Sequence, residues 1–130
     1  MRNYNKNIVV TASILAAITI AIGAFGAHGL KQLVDAEAVA TFETGVRYQM
    51  YHCLALLVVG FAAPISSATK KWVFRFFIFG IIFFSGSIYV LALKEVVPFN
   101  VSFLGPVTPL GGLFFIIGWL CLARGLYSLK

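Results

Sequence analysis

Apolar residues run along this chain in four long stretches, and charged residues punctuate them. Twenty-four uncharged residues separate Lys6 from Lys31, twenty-two separate Arg47 from Lys70, eighteen separate Arg75 from Lys94, and twenty-eight separate Glu95 from Arg124. A helix needs about 20 residues to cross the hydrocarbon core of a bilayer, and a backbone in lipid must satisfy its own hydrogen bonds. Each window therefore predicts a helical span, at 8–27, 48–65, 73–93 and 108–127. Together they predict an all-α fold, an integral membrane four-helix bundle, as a single transmembrane domain over residues 1–130.

The segment 28–47 is the longest connection rich in polar residues. Asp35 is placed to cap a helix that begins at Ala36, and Glu37 in its first turn suits the helix dipole. This predicts an additional amphipathic helical segment at the outer interface before helix two, either separate or running unbroken into it. The last connection, EVVPFNVSFLGPVTPLGG, holds three prolines and predicts irregular chain.

Composition fixes the solvent. The chain is 61% hydrophobic and 11% charged, and its mean hydropathy is +0.97. A soluble domain of this size needs more charge to cover its surface. The net charge of +6 would suit nucleic acid, but the basic residues sit at the ends of apolar runs rather than in a stripe. The expected partner is the lipid bilayer, with a membrane-protein partner or a second copy of the chain, and no nucleic acid. Arg2, Lys6, Lys70, Lys71, Arg75, Arg124 and Lys130 fall on one side of the predicted bundle. Lys31, Arg47 and Lys94 fall on the other, with the acids Asp35, Glu37, Glu43 and Glu95. The positive-inside rule then places the protein in the cell (inner) membrane with both termini cytoplasmic. The basic N-terminus before an apolar run has the look of a secretory signal, but Ile8–Ala27 exceeds a signal core, so helix one is read as retained.

Small residues predict where helices touch. Ala12, Ala16, Gly23 and Ala27 lie near one face of helix one, with Thr19 among them and Gly26 close by. Gly111, Gly118 and Gly125 recur every seven residues on helix four, which keeps them on one stripe. Gly23, Gly26, Gly111, Gly118 and Gly125 are the candidate packing residues. Trp72 and Tyr89 on the phenylalanine-rich third helix are expected at the membrane interfaces. Cys53 and Cys121 fall at different depths and read as plain thiols.

GAFGAHGL at 23–30, FETGVRYQMYHCLAL at 42–56, FSGSIYVLAL at 84–93 and TPLGGLFFIIGW at 108–119 resemble the small YgdD/YwdK-like membrane proteins, the domain of unknown function 423. The resemblance falls in four blocks over nearly the whole chain. It implies a four-helix integral membrane protein and brings no settled activity, substrate or catalytic residue.

Polar residues concentrate on the outer side. Glu43, Arg47 and Tyr51 align at i, i+4, i+8, Tyr48 and His52 at i, i+4, and Gln49 and Cys53 on a third line. One reading takes them as interfacial anchors, with His28 a structural junction where helix one ends. The other is a shared polar pocket of His28, Glu43, Arg47, Tyr48 and His52, able to hold a headgroup, a quinone-like molecule or an anion. Two histidines 24 residues apart, with no third, are a weak signal for metal or haem, so neither metal nor cofactor is expected. GAFGAHG follows no strand, so the dinucleotide fingerprint fails on context. No catalytic residue is assigned. The expected role is a non-enzymatic membrane component acting through helix packing in a complex or homo-oligomer. The alternative is a small transporter or channel, or a lipid- or quinone-binding protein using the outer pocket.

Overall fold

The structure, a computed structural model, describes residues 3–130, so Arg2 of the basic set lies outside the described residues. Five α-helices follow in order: α1 (Lys6–Ala27), α2 (Ala36–Phe61), α3 (Ser67–Gly80), α4 (Gly86–Ala92) and α5 (Val107–Tyr127). A π turn, Ile81–Ser85, joins α3 to α4, so Ser67–Ala92 is one continuous rod. Short 3-10 turns sit at Leu30–Gln32 and Ser102–Leu104. The fold is all-α, with no strand among the described residues.

Side-chain caps set the starts. Asn5 Oδ1 accepts from the Ile8 N–H at 3.1 Å, and Asp35 Oδ1 accepts from the Ala38 N–H at 2.8 Å. From Asp35, α2 continues for 26 residues, so the expected outer segment is the first part of α2 and not a separate element. The helix stops at Phe61 rather than 65. Pro64 removes a backbone donor and disfavours helical geometry in the residue before it. Ser66 then restarts the chain, its Oγ accepting from the Thr69 N–H at 3.2 Å, so α3 begins at Ser67 rather than 73. Lys70 and Lys71 bound the uncharged window without interrupting the helix.

Three rods are long and apolar enough to cross a membrane: Lys6–Gln32, Ser67–Ala92 and Ser102–Tyr127. The long helix α2 is more polar, because Glu43, Thr44, Arg47, Gln49 and His52 lie along it. Its register nevertheless follows α1 throughout. Gly26 sits against Phe42 and Gly23 against Val46, Thr19 bonds to Gln49, and Gly60 sits against Ile8 and Val9. Residues 42–60 of α2 thus run antiparallel beside residues 8–26 of α1.

α1 packs on α2, α5 packs on α3 and the π turn, and the two pairs join through α2 against the π turn and α4. The main core gathers Ile8, Ala12, Cys53, Leu56, Val59, Val73, Phe77, Ile81 and Phe115. A second, smaller cluster of Leu30, Val39, Phe42 and Ala92 closes the other end.

The glycine stripe of α5 faces α3 and the π turn. A Cβ added at Gly118 would lie 2.6 Å from the Phe77 ring, one at Gly125 would meet the Thr69 side chain, and one at Gly111 would meet the backbone of Phe83 and Phe84. Gly80 reciprocates by receiving the ring of Phe115. Large rings thus seat over glycines on both rods, the close packing that holds helices together where lipid removes the hydrophobic drive.

Candidate functional site

The residues proposed for an outer pocket do not converge. His28 ends α1, and its backbone N–H bonds to the Ala24 and Phe25 carbonyls while its side chain is exposed. Glu43 and Arg47 are exposed, and the Arg47 guanidinium donates to Thr44 Oγ1 at 3.2 Å. Tyr48 is also exposed, its ring against Tyr51 and Phe84. His52 alone of the five is buried. Because Gly26 opposes Phe42, His28 is level with about Ala40, and His52 lies about three turns, roughly 16–18 Å, further along the axis at the standard rise. The antiparallel register is what separates the two histidines.

His52 sits instead between α2, α3 and α5. Its ring stacks on Phe115 with centroids 3.6 Å apart and meets Phe77 edge-on. Trp119 Nε1 donates to His52 Nε2 at 3.0 Å, while His52 Nδ1 lies 2.6 Å from the Tyr48 carbonyl. An indole N–H only donates, so Nε2 is the acceptor. The proton is therefore on Nδ1, which donates to the Tyr48 carbonyl, and the imidazole is neutral. Both ring nitrogens are engaged, so His52 offers no lone pair to a metal or a substrate proton as it stands.

A second polar chain ties three rods. Gln49 Nε2 donates to Thr19 Oγ1 at 2.7 Å, and the Tyr89 hydroxyl donates to Gln49 Oε1 at 2.7 Å. The Thr19 hydroxyl itself donates to the Leu15 carbonyl at 2.6 Å, and the Cys53 sulfur lies 3.8 Å from Thr19 Oγ1. Tyr89, expected at an interface, turns its hydroxyl inward because Gln49 supplies an acceptor there. One turn away, Ser85 in the π turn donates to the Gly45 carbonyl at 2.7 Å, and Ser87 bonds with Thr108. Gly45 leaves room for this approach, since a Cβ there would lie 2.8 Å from the Tyr89 ring. Among the described residues, every buried side-chain nitrogen and oxygen has a hydrogen-bond partner.

At the end of the bundle where α1 starts, the Gly60 carbonyl accepts from the Asn5 N–H at 2.8 Å and from Lys70 Nζ at 3.1 Å. A cation at a helix C-terminus satisfies orphan carbonyls and favours the dipole. Among the described residues no group of three or more His, Cys, Asp or Glu side chains is placed to hold a metal ion, and Cys53 and Cys121 are free thiols.

Sequence reasoning singled out His52 and Gln49 as polar residues on α2. It did not find their partners Thr19, Tyr89 and Trp119, which come from other rods, or the Ser85 bond to the Gly45 carbonyl. The available signal was modest: Thr19 lies on the small-residue face, and Tyr89 lies one turn beyond Ser85.

A family model described as "Protein of unknown function (DUF423)" matches residues 22–112. The chain is 39% identical to a UPF0382 membrane protein of Staphylococcus saprophyticus, over 95% of this chain and 99% of that one. It is 40% identical to the UPF0382 membrane protein YwdK of Bacillus subtilis, over 88% and 91%. It is 37% identical to a UPF0382 membrane protein of Haemophilus influenzae, over 85% and 86%. No solved structure matches it.

Proposed function

Because the chain belongs to the DUF423 family, whose relatives are named membrane proteins, we propose that it is a four-span protein of the cell membrane, not an enzyme, acting through helix packing in a complex or homo-oligomer. The register of α2 supports the fourth span. Residues 42–60 lie beside residues 8–26 of α1, so if α1 crosses the bilayer, α2 crosses the same slab. Its buried polar groups Gln49 and His52 face the bundle interior, where membrane proteins keep such groups. Arg47 lies near the outer end and can extend toward the headgroups.

The observation that carries the reading is the use made of the polar core. Thr19–Gln49–Tyr89 and His52–Trp119 bond helix to helix. The side chains with the most chemistry act as internal ties. The surfaces left to meet other molecules are those of α1 and α5, whose apolar windows are only 17% buried within the chain. Purification in mild detergent with measurement of the particle mass tests this. A homo-oligomer or a co-purifying membrane protein is the expected result, and a monomer free of any protein partner overturns it.

One feature favours the lipid- or quinone-binding alternative. Ile18, Ala21, Ile22, Phe25, Phe42 and Tyr89 line an apolar groove of about 460 Å³ among α1, α2 and α4. A hydrocarbon tail matches it in chemistry. Recovery of one quinone or lipid species in stoichiometric amount, lost on Ala21→Trp, would favour that reading.

A further inference from the structure

The end of the bundle that carries Asn5, Gly60 and Lys70 also holds a cavity. It has a volume of about 290 Å³ and is lined by Asn3, Tyr4, Asn5, Ser67 and Lys70, with Ala63 and Ile65. Lys70 is 6% exposed. Among the described residues its hydrogen-bond partner is one neutral carbonyl, that of Gly60. An ammonium group has three donors, so two remain for another acceptor. Its charge is set against the carbonyl end of α2 and against no acidic side chain. The side chains Asp35, Glu37, Glu43 and Glu95 all lie at the opposite end of the helices. A buried charge is costly unless it is paired.

The start of α3 adds donors to the same cavity. Ser66 caps the helix by accepting from the Thr69 N–H, which leaves the N–H groups of Ser67 and Ala68 without intrahelical acceptors. The helix dipole places partial positive charge there. Ser67 lines the cavity and adds a hydroxyl. A buried lysine with no acidic side chain beside it and a helix N-terminus thus line one polar space at the end of the bundle where α1 starts. That combination recognises an oxyanion with several acceptor oxygens.

We propose that this cavity binds a phosphate group, held by Lys70 Nζ and by the backbone N–H and hydroxyl of Ser67. The group arrives on an anionic lipid headgroup or as free phosphate, and both carry the same acceptor oxygens. Tyr4 and Ile65, which also line the cavity, offer apolar surface to the start of an acyl chain if the source is lipid.

The test is native mass spectrometry of the intact purified protein, after equilibration with phosphatidylglycerol, diacylglycerol or inorganic phosphate. Retained phosphatidylglycerol that millimolar phosphate does not displace identifies a lipid site. Retention of inorganic phosphate, or displacement of the lipid by it, identifies a free-anion site. Lys70→Gln should lower retention about ten-fold, the scale of one charge-assisted hydrogen bond. Lys71→Gln, exposed on the same turn, should not.

Lys70 also caps α2, so a second variant avoids dependence on its fold. Ser67→Glu puts a carboxylate in the first turn of α3, where it suits the dipole, and fills the site with negative charge. It should remain folded and lose retention to the same extent. Equal retention of diacylglycerol, which has no phosphate, no retention of either phosphate source, or unchanged retention in a folded Ser67→Glu protein would overturn the proposal.

Discussion

At the scale of single residues, the two histidines have opposite fates. His28 was the more conspicuous in the sequence, framed by glycines and alanines, yet its side chain is exposed. His28→Ala should change stability in detergent by no more than about 0.5 kcal/mol, as surface substitutions do. His52→Ala removes a stacked ring and its bond to the Tyr48 carbonyl, which keeps its helical bond, and leaves the Trp119 N–H without its acceptor. Its cost should be about 2–4 kcal/mol from the cavity and the lost bonds. Denaturant unfolding of both variants checks the contrast, and equal losses would refute it. The Gln49 amide is the middle of a chain, so its neighbours are coupled. Tyr89→Phe should cost about 1 kcal/mol, within the range of interhelical hydrogen bonds in membranes. Adding Tyr89→Phe to Gln49→Leu should cost less than it does alone, because the amide is already gone. Strict additivity in that cycle would mean the bond contributes nothing.

At the scale of elements, neighbouring glycines on α5 separate packing from propensity. Gly111 approaches the backbone of Phe83 and Phe84, which cannot rotate aside. A Cβ at Gly112 would lie 3.8 Å from the Phe84 ring, an ordinary contact. Gly111→Ala should therefore destabilise by about 1–3 kcal/mol through overpacking. Gly112→Ala should be neutral or stabilising by up to about 1 kcal/mol through helix propensity. Gly118→Ala should fall between them, since its obstacle is the Phe77 ring, and Gly118→Leu should be worse. Thermal unfolding of the four variants gives the order, and a harmless Gly111→Ala would mean that α5 does not seat against the π turn. That turn widens the rod where Ser85 reaches the Gly45 carbonyl, so the same short stretch receives α5 on one side and α2 on another.

At the scale of the whole molecule, the charges are divided between the two ends of the rods. Lys6, Lys70, Lys71, Arg75, Arg124 and Lys130 lie toward one end, and all four acidic side chains lie toward the other. Under the positive-inside rule, Glu95→Cys should react with an impermeant thiol reagent in intact cells, in a Cys121→Ala background. Lys130→Cys should react only after the membrane is permeabilised. The reverse pattern would turn the molecule over in the bilayer.

Local chemistry sufficed for much of this. Asp35, followed by Ala36 and Glu37, dictated where α2 begins, because a cap acts on backbone groups two or three residues away. The uncharged windows marked the rods, because the cost of charge in lipid is paid residue by residue. Seven-residue spacing put Gly111, Gly118 and Gly125 on one stripe, because helix geometry alone decides which residues share a face. The windows misplaced the bounds of α2 and α3, since charge limits how deep a segment goes while Pro64 and Ser66 decide where helix stops and starts. Partners across helices were beyond sequence reasoning. Gln49 reads as a polar residue on α2, and only the antiparallel register beside α1, together with the packing of α4 on α2, brings Thr19 and Tyr89 to the two ends of its amide. His28 and His52 look like companions by residue type, but the same register sets them about three turns apart. Side-chain hydrogen bonds reach about 3 Å, so they depend on how whole rods slide and rotate against each other. That is decided by where every ring meets its glycine, as Phe77 meets Gly118 and Phe115 meets Gly80.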